Sequence, residues 1–313
     1  MTSVTAQPTN RRALIQLHST RGRIGLARQA LLQALAIFTL LTVLFPVLWV
    51  FSVSLDPLNR SRPQGLNVIP EGASFDAYAQ VIAQPTNNPI GFVDLGLNSL
   101  KIALGSALVS VVIGVSAAYA FSRLKFRLRE LLMIAILGVL MLPAVATLAP
   151  LFVLLNQFQL TLPILGEFNL RNSLLGVAMA IISGLLPFAI WNLKGYLDTI
   201  PKELEEAAAV DGATTNQTFV KIILPLATPA LSVTAFLGFI GGWTEFYFSW
   251  QFLTKAEDQT LAMALYSMQG TFASTPWSLF SAFAIMFALP PAVVYFFAQR
   301  YITSGLAIGG VKG

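Results

Sequence analysis

The segment Thr199–Pro225, TIPKELEEAAAVDGATTNQTFVKIILP, decides how this chain is read, because it is the most polar stretch in the second half of an otherwise apolar sequence. Its first part, Pro201 to Val210, is predicted to be a short helix. Proline fits the first turn, where its missing N–H costs nothing, and Glu203, Glu205 and Glu206 lie toward the positive end of the helix dipole. Asp211-Gly212 then stops it, since glycine accepts the left-handed conformation that closes a helix. Thr214 followed by Gln217 is a capping-box signature for a second helix, which carries Phe219, Ile222 and Ile223 into Leu224-Pro225. The pattern is helix, glycine turn, helix, proline: a compact docking element without nucleophile, metal cluster or phosphate loop.

Working outward, 56% of the 313 residues are hydrophobic and only 11% are charged, with a mean hydropathy of +0.71. Soluble domains carry about 25% charged residues, so these values indicate an all-α membrane protein that crosses the bilayer several times. Six apolar runs are long enough to be transmembrane helices: Gln29–Leu55 with Pro46 as an expected kink, Leu97–Phe121, Leu131–Phe152 interrupted by Pro143 and Pro150, Ser173–Trp191, Ala227–Trp250, and Trp277–Ala298. Helices are expected because an isolated strand cannot satisfy its backbone in lipid. The expected layout is a basic leader at 1–28, a six-helix domain at 29–303 with loops 56–96, 198–225 and 254–276, and a tail at 304–313. The run at 29–55 is about twice the length of a signal-peptide core, so it is read as a retained span. The absence of cysteine excludes disulfides, Cys-ligated zinc and iron–sulfur clusters.

Lysine and arginine set the orientation. With the N-terminus in the cytoplasm, fourteen lie inside, among them Arg123, Lys125, Arg127 and Arg129 after the second span, and five lie outside: Arg60, Arg62, Lys101, Arg171 and Lys255. Both termini and the Thr199–Pro225 loop are therefore expected in the cytoplasm. The positive net charge reflects this bias and is no footprint of nucleic acid.

Ser106, Ser110, Gly114 and Ala118 form a ladder of small residues along the second span, suited to close approach of another helix of this chain or of a partner subunit. Glu245 is the one acid deep in an apolar run; an aqueous pathway, a subunit interface, the headgroup level and direct sugar binding are each open to it. On the loop 254–276, Tyr266, Met268 and Phe272 suit a partner surface or an interfacial anchor in lipid.

Glu206-Ala207-Ala208, Gly212 four residues after Ala208, and Ile222-Ile223-Leu224-Pro225 resemble the EAA loop of ABC-transporter permeases, with every fixed position met. Lys194-Gly195-Tyr196 and the ending Gly309-Gly310-Val311-Lys312-Gly313 further resemble MalG-type subunits, the smaller permeases of maltose and maltodextrin importers. The Trp243-Thr244-Glu245-Phe246 phrase is similar to a Trp-Asn-Glu-Phe of sugar permeases, with Thr244 in place of the Asn. The resemblance implies a type I ABC importer permease fold with a cytoplasmic EAA coupling loop, in the inner membrane of a bacterium or archaeon. It implies half of a pore formed with a MalF-like partner permease, a homodimeric ATPase subunit that binds the ATP and Mg, and a periplasmic or lipid-anchored sugar-binding protein. No cofactor is then bound by this chain. Glu206, Ala207, Ala208, Gly212, Leu224 and Pro225 would couple to the ATPase, and Gly309 to Gly313 would contact it. The loop from Lys255 to Pro276 would reach the binding protein.

Two other classes are open to the residues themselves. An ion-coupled transporter would favour internal repeats and buried ionisable pairs, and Glu245 is the only candidate. A membrane-embedded enzyme is the third class, and the sequence has no GxxxxGK(S/T), no HExxH and no Cys nucleophile to support it. The EAA spacing by itself also fits a permease for another solute.

Overall fold

The structure, a computed structural model, describes residues 26–60, 69–162, 166–272 and 274–309. The chain divides into two units, Met1–Val50 and Phe51–Gly313. Most of helix α1 (Leu26–Ser54) belongs to the first. It passes Pro46 without interruption, and Thr39 and Thr42 return their hydroxyls to the Leu35 and Phe38 carbonyls at 2.9 Å, which satisfies both hydroxyls within an apolar helix.

In the second unit, α2 (Asp76–Ala83) precedes the 32-residue helix α3 (Phe92–Arg123). After α3 come α4 (Arg129–Leu140), a 3-10 turn at Ala144–Thr147, and α5 (Leu148–Asn156). This is the third apolar run, sharply bent rather than straight. Pro143 opens the 3-10 turn, and Pro150 falls in the first turn of α5, where it breaks no hydrogen bond. A two-stranded antiparallel hairpin, β1 (Gln159–Leu162) with β2 (Gly166–Asn169), joins α5 to α6 (Leu174–Leu197). The hairpin was not expected from sequence; it pairs backbone groups in a short connection between apolar runs. Helix α6 runs six residues beyond the predicted end of the fourth span, and Pro187 lies inside it.

The fifth run also departs from expectation. Helix α10 (Thr228–Trp243) stops at Thr244, and α11 (Tyr247–Phe252) begins after a break; between α6 and α10 lie α7 (Glu203–Val210), α8 (Thr215–Thr218) and α9 (Leu224–Leu226). The loop 254–276 is largely built into the fold: Thr260 caps α12 (Leu261–Ser267), whose Leu261, Ala262, Met263 and Ala264 are buried. Met268 belongs to the same core, whereas Tyr266, whose ring packs on Phe246 and Trp250, and Phe272 remain exposed. The last helix is α13 (Trp277–Gly309), which continues through Pro290 and Pro291. Among the described residues, four helices are long and apolar enough to cross a membrane, and six spans result if each of two bent pairs counts as one.

Helix α3 is the axis of the second unit, packed against α6 and α10, while α10 also packs on α13. The ladder of small residues explains why. Ser106, Ser110, Gly114 and Ala118 are all buried, and a Cβ on Gly114 would lie 3.1 Å from the Ala189 Cβ of α6. On α10, a Cβ on Gly242 would come within 2.7 Å of the Ala103 Cα, so only glycine lets the two backbones meet there. In lipid, where apolar burial itself drives little, such close contact supplies the attraction. The ladder is thus used for packing inside this chain.

Candidate functional site

The Thr199–Pro225 segment folds as its local chemistry dictates. α7 closes in a Schellman arrangement: the Ala213 N–H reaches the Ala208 carbonyl at 2.9 Å and the Gly212 N–H reaches Ala209 at 3.1 Å, with Gly212 at φ +83°. Thr214 and Gln217 complete the capping box, with Gln217 N–H donating to Thr214 Oγ1 and Thr214 N–H to Gln217 Oε1. The expected second helix is present with one difference. Phe219–Ile223 forms a π turn, just ahead of Pro225, whose ring cannot follow an ordinary α turn.

An apolar socket and a polar clamp seat this hairpin on the ends of α3 and α6. Ile223 and Ala227 are fully buried among Val115, Ala118, Leu193, Leu197 and Ile200, and the Phe219 ring lies 4.8 Å from that of Tyr119. Arg123, the last residue of α3, pairs through Nε with Glu205 and donates from Nη2 to the Ile200 carbonyl at 2.9 Å. The two side chains are only 7% and 17% exposed. Tyr119 Oη donates to the other Glu205 oxygen at 3.0 Å. Arg123 also donates to Ser122 Oγ, which donates to Asp198 at 2.6 Å, and Lys194 holds the second Asp198 oxygen at 2.6 Å. Burial pushes the Asp198 carboxyl up, but the hydrogen bonds from Lys194 and Ser122 outweigh it and hold the group below its ordinary value.

With its base fixed, α7 turns most of the motif outward. Glu206, Ala207, Gly212 and Pro225 are exposed, Ala208 faces the protein, and Leu224 is half-buried. Leu204 is also exposed, and Val210 is 89% exposed at the helix end, so an apolar rim surrounds the exposed Glu206. The basic partner inside this chain belongs to Glu205, one residue before the motif. Sequence alone treated Arg123 as one of several loop charges and Glu205 as a dipole charge. A cation closing a long apolar helix, with an acid at the start of a docking helix, was the available signal.

Glu245 lies in the break between α10 and α11. Its carboxylate accepts from the Phe248 and Ser249 N–H groups and from the Ser249 hydroxyl, which caps α11 and explains why the fifth run divides here. It also borders a cavity of about 610 Å³ beside the α4–α5 bend. Gly309 ends α13, and Gly310, Val311, Lys312 and Gly313 lie outside the described residues. Among the described residues no cluster of His, Cys, Asp or Glu could hold a metal ion.

Residues 110–308 match the family described as binding-protein-dependent transport system inner membrane component. The chain is 35% identical over 310 residues to the maltose/maltodextrin transport system permease protein MalG of Photorhabdus laumondii subsp. laumondii, covering 96% of this chain and 100% of that protein. It is 33% identical over 276 residues to the galactooligosaccharides transport system permease protein GanQ of Bacillus subtilis, covering 88% and 93% of the two chains. In fold it is similar to a chain of a bacterial ABC transporter involved in the import of the acidic polysaccharide alginate, with a TM-score of 0.70 at 22% identity and coverage of 90% and 98%. The chain belongs to the family of binding-protein-dependent transport system inner membrane components, with MalG-type permeases among its relatives.

Proposed function

We propose that this chain is a permease subunit of an ATP-driven importer for sugars of the maltose/maltodextrin type. The observation that carries the reading is the α7 surface: Glu206, Ala207 and Gly212 exposed on a helix whose base is clamped to α3 and α6. Small residues let such a helix enter a cleft of an ATPase, and a rigid base passes movement of that cleft to the spans. Hydrolysis of ATP, with its Mg, belongs to the homodimeric partner ATPase, and this subunit is not itself an enzyme. A MalF-like partner permease completes the pore, and a sugar-binding protein delivers the solute from outside. The excess of Lys and Arg supports cytoplasmic termini and a cytoplasmic α7 hairpin. Gly309 to Gly313 would add contact to the ATPase, and the break at Glu245 would border the pathway.

The likeness to GanQ favours galactooligosaccharides as a second substrate class. Purification of the complex followed by ATPase assays tests both. The expected result is co-purification of a partner permease and an ATPase dimer, with hydrolysis stimulated by binding protein loaded with maltodextrin. Stimulation by galactooligosaccharide alone would move the assignment to that class. A lone chain with uptake driven by protons or sodium would overturn the proposal.

A further inference from the structure

At the opposite end of α3 from the α7 hairpin lies a cleft of about 640 Å³ between α2, the following loop, α11 and α12. That volume is in the range of small-molecule sites. Its polar lining consists of neutral side chains, chiefly Gln80, Gln84, Asn87, Asn88 and Gln259, and no Asp, Glu, Lys or Arg lines it. A neutral lining gives no counter-charge to a phosphate, an amino acid or a metal ion. Amides each offer donor and acceptor groups, which is what hydroxyls require, since a hydroxyl both gives and takes a hydrogen bond.

Two details show that the cleft is preformed. Asn88 Nδ2 donates to Gln259 Oε1 at 2.7 Å and to the Ala256 carbonyl at 3.1 Å, which fixes the orientation of the amide. Its Oδ1 is buried and closed to the cleft, so Asn88 braces the wall while Gln80, Gln84 and Asn87 present the exposed amides. The wall opposite is Trp250, 47% exposed and steadied by the rings of Phe246 at 5.6 Å and Tyr266 at 5.4 Å. A half-exposed, ring-braced indole face beside a row of amides suits a ring with C–H bonds on its face and hydroxyls on its rim.

We infer that this cleft is an oligosaccharide-binding subsite of the chain itself, with Trp250 stacking on a sugar ring and the exposed amides of Gln80 and Asn87 bonding its hydroxyls. It rests on the sugar reading above. With α3 spanning about 48 Å at 1.5 Å per residue, the cleft and the α7 hairpin lie at opposite ends of one helix. Asn98, in the second turn of α3, donates to the Glu257 and Gln259 carbonyls at 2.7 and 3.0 Å and so ties the cleft floor to that helix.

The absence of cysteine from the chain allows a local test. In the assembled importer, Gln84→Cys is labelled with a membrane-impermeant maleimide, with maltotriose as the probe. Gln84 is exposed, and its substitution gives up the long 3.4 Å bond from Nε2 to the Asn88 carbonyl. Maltotriose is expected to slow labelling by about tenfold at about ten times its dissociation constant, with no binding protein present. The protection should disappear with Trp250→Ala, weaken with Gln80→Ala and persist with Trp250→Phe. Unchanged labelling, or protection that survives loss of Trp250 and Gln80, overturns the subsite. Protection seen only when binding protein is added also overturns it, and makes the cleft a protein-docking surface. Uptake of labelled maltotriose by the same preparation separates the two readings: uptake without protection removes the subsite and leaves the importer standing, and neither uptake nor protection removes both.

Discussion

At one end of α3, Arg123 and Glu205 form a nearly buried ion pair that holds a short helix against the bundle; at the other, the neutral amide of Asn98 and the hydroxyl of Ser99 hold the segment 257–261. The first fastening joins a helix that displays an exposed motif, and the second underlies a cleft lined by uncharged groups. A buried ion pair resists separation strongly, because removing either partner strands the other charge. Amide-to-carbonyl bonds are individually weaker and cost less to break. The contrast suits an end that must carry force and an end that must admit a neutral solute.

The largest effect is expected from Gly212→Pro. Proline fixes φ near −65°, whereas Gly212 sits at +83°, so the α7 turn cannot form. Uptake should be abolished while membrane insertion, followed by fractionation, is unchanged; normal uptake would remove the hairpin from the coupling path. Glu206→Lys should act the same way through charge alone, since Glu206 is exposed and its loss disturbs no packing.

Next in size is Arg123→Ala, which strands the Glu205 carboxylate. The loss of about 3–5 kcal/mol should appear as increased protease sensitivity around Asp211–Thr214 and as ATP hydrolysis no longer governed by the binding protein. The double reversal Arg123→Glu with Glu205→Arg should restore part of both. Protease resistance equal to the parent's would show that the apolar socket alone holds α7.

Asn98→Ala should cost about 1–2 kcal/mol for two hydrogen bonds and act at the other end only. Labelling of a cysteine at Gln259 should accelerate, with the α7 region as protease-resistant as before. An equal change at both ends would show that α3 transmits disorder along its length and would erase the contrast.

The smallest effect is acid sensitivity. Because the Asp198 carboxyl is held below its ordinary value, its contribution is full above the unfolded value near 3.8 and is lost as pH falls through the lower folded value. Proteolysis of the α7 base should be flat through neutral pH and rise only in strong acid, and Asp198→Asn should remove that dependence. A transition near neutral pH would point to another group.

The α7 hairpin was legible in the sequence because its signals are local. Gly212, Thr214 and Gln217 act within a few residues of themselves, and the structure puts each to the predicted use. The small-residue ladder was legible as a contact face, though not which helices it meets. Hydropathy marked the six apolar runs but blurred the fifth: averaging over Ala227–Trp250 hides a single Glu245 that starts a new helix. The buried α12 was read as loop, since its seven residues are too few for a span and its flanks are polar. The Arg123–Glu205 clamp and the Asn88–Trp250 cleft join residues 82 and 162 positions apart, and no local pattern reveals such meetings.

The most direct measurement is a cross-link from Ala207→Cys, exposed on α7 in a chain with no other cysteine, to the ATPase subunit in inverted membrane vesicles. An adduct with the ATPase is expected, with a yield that changes on adding ATP and falls when Arg123→Ala frees the helix base. A cysteine at Ala207 that forms no adduct, while the complex remains assembled and transporting, would contradict the assignment of this helix as the seat of the ATPase.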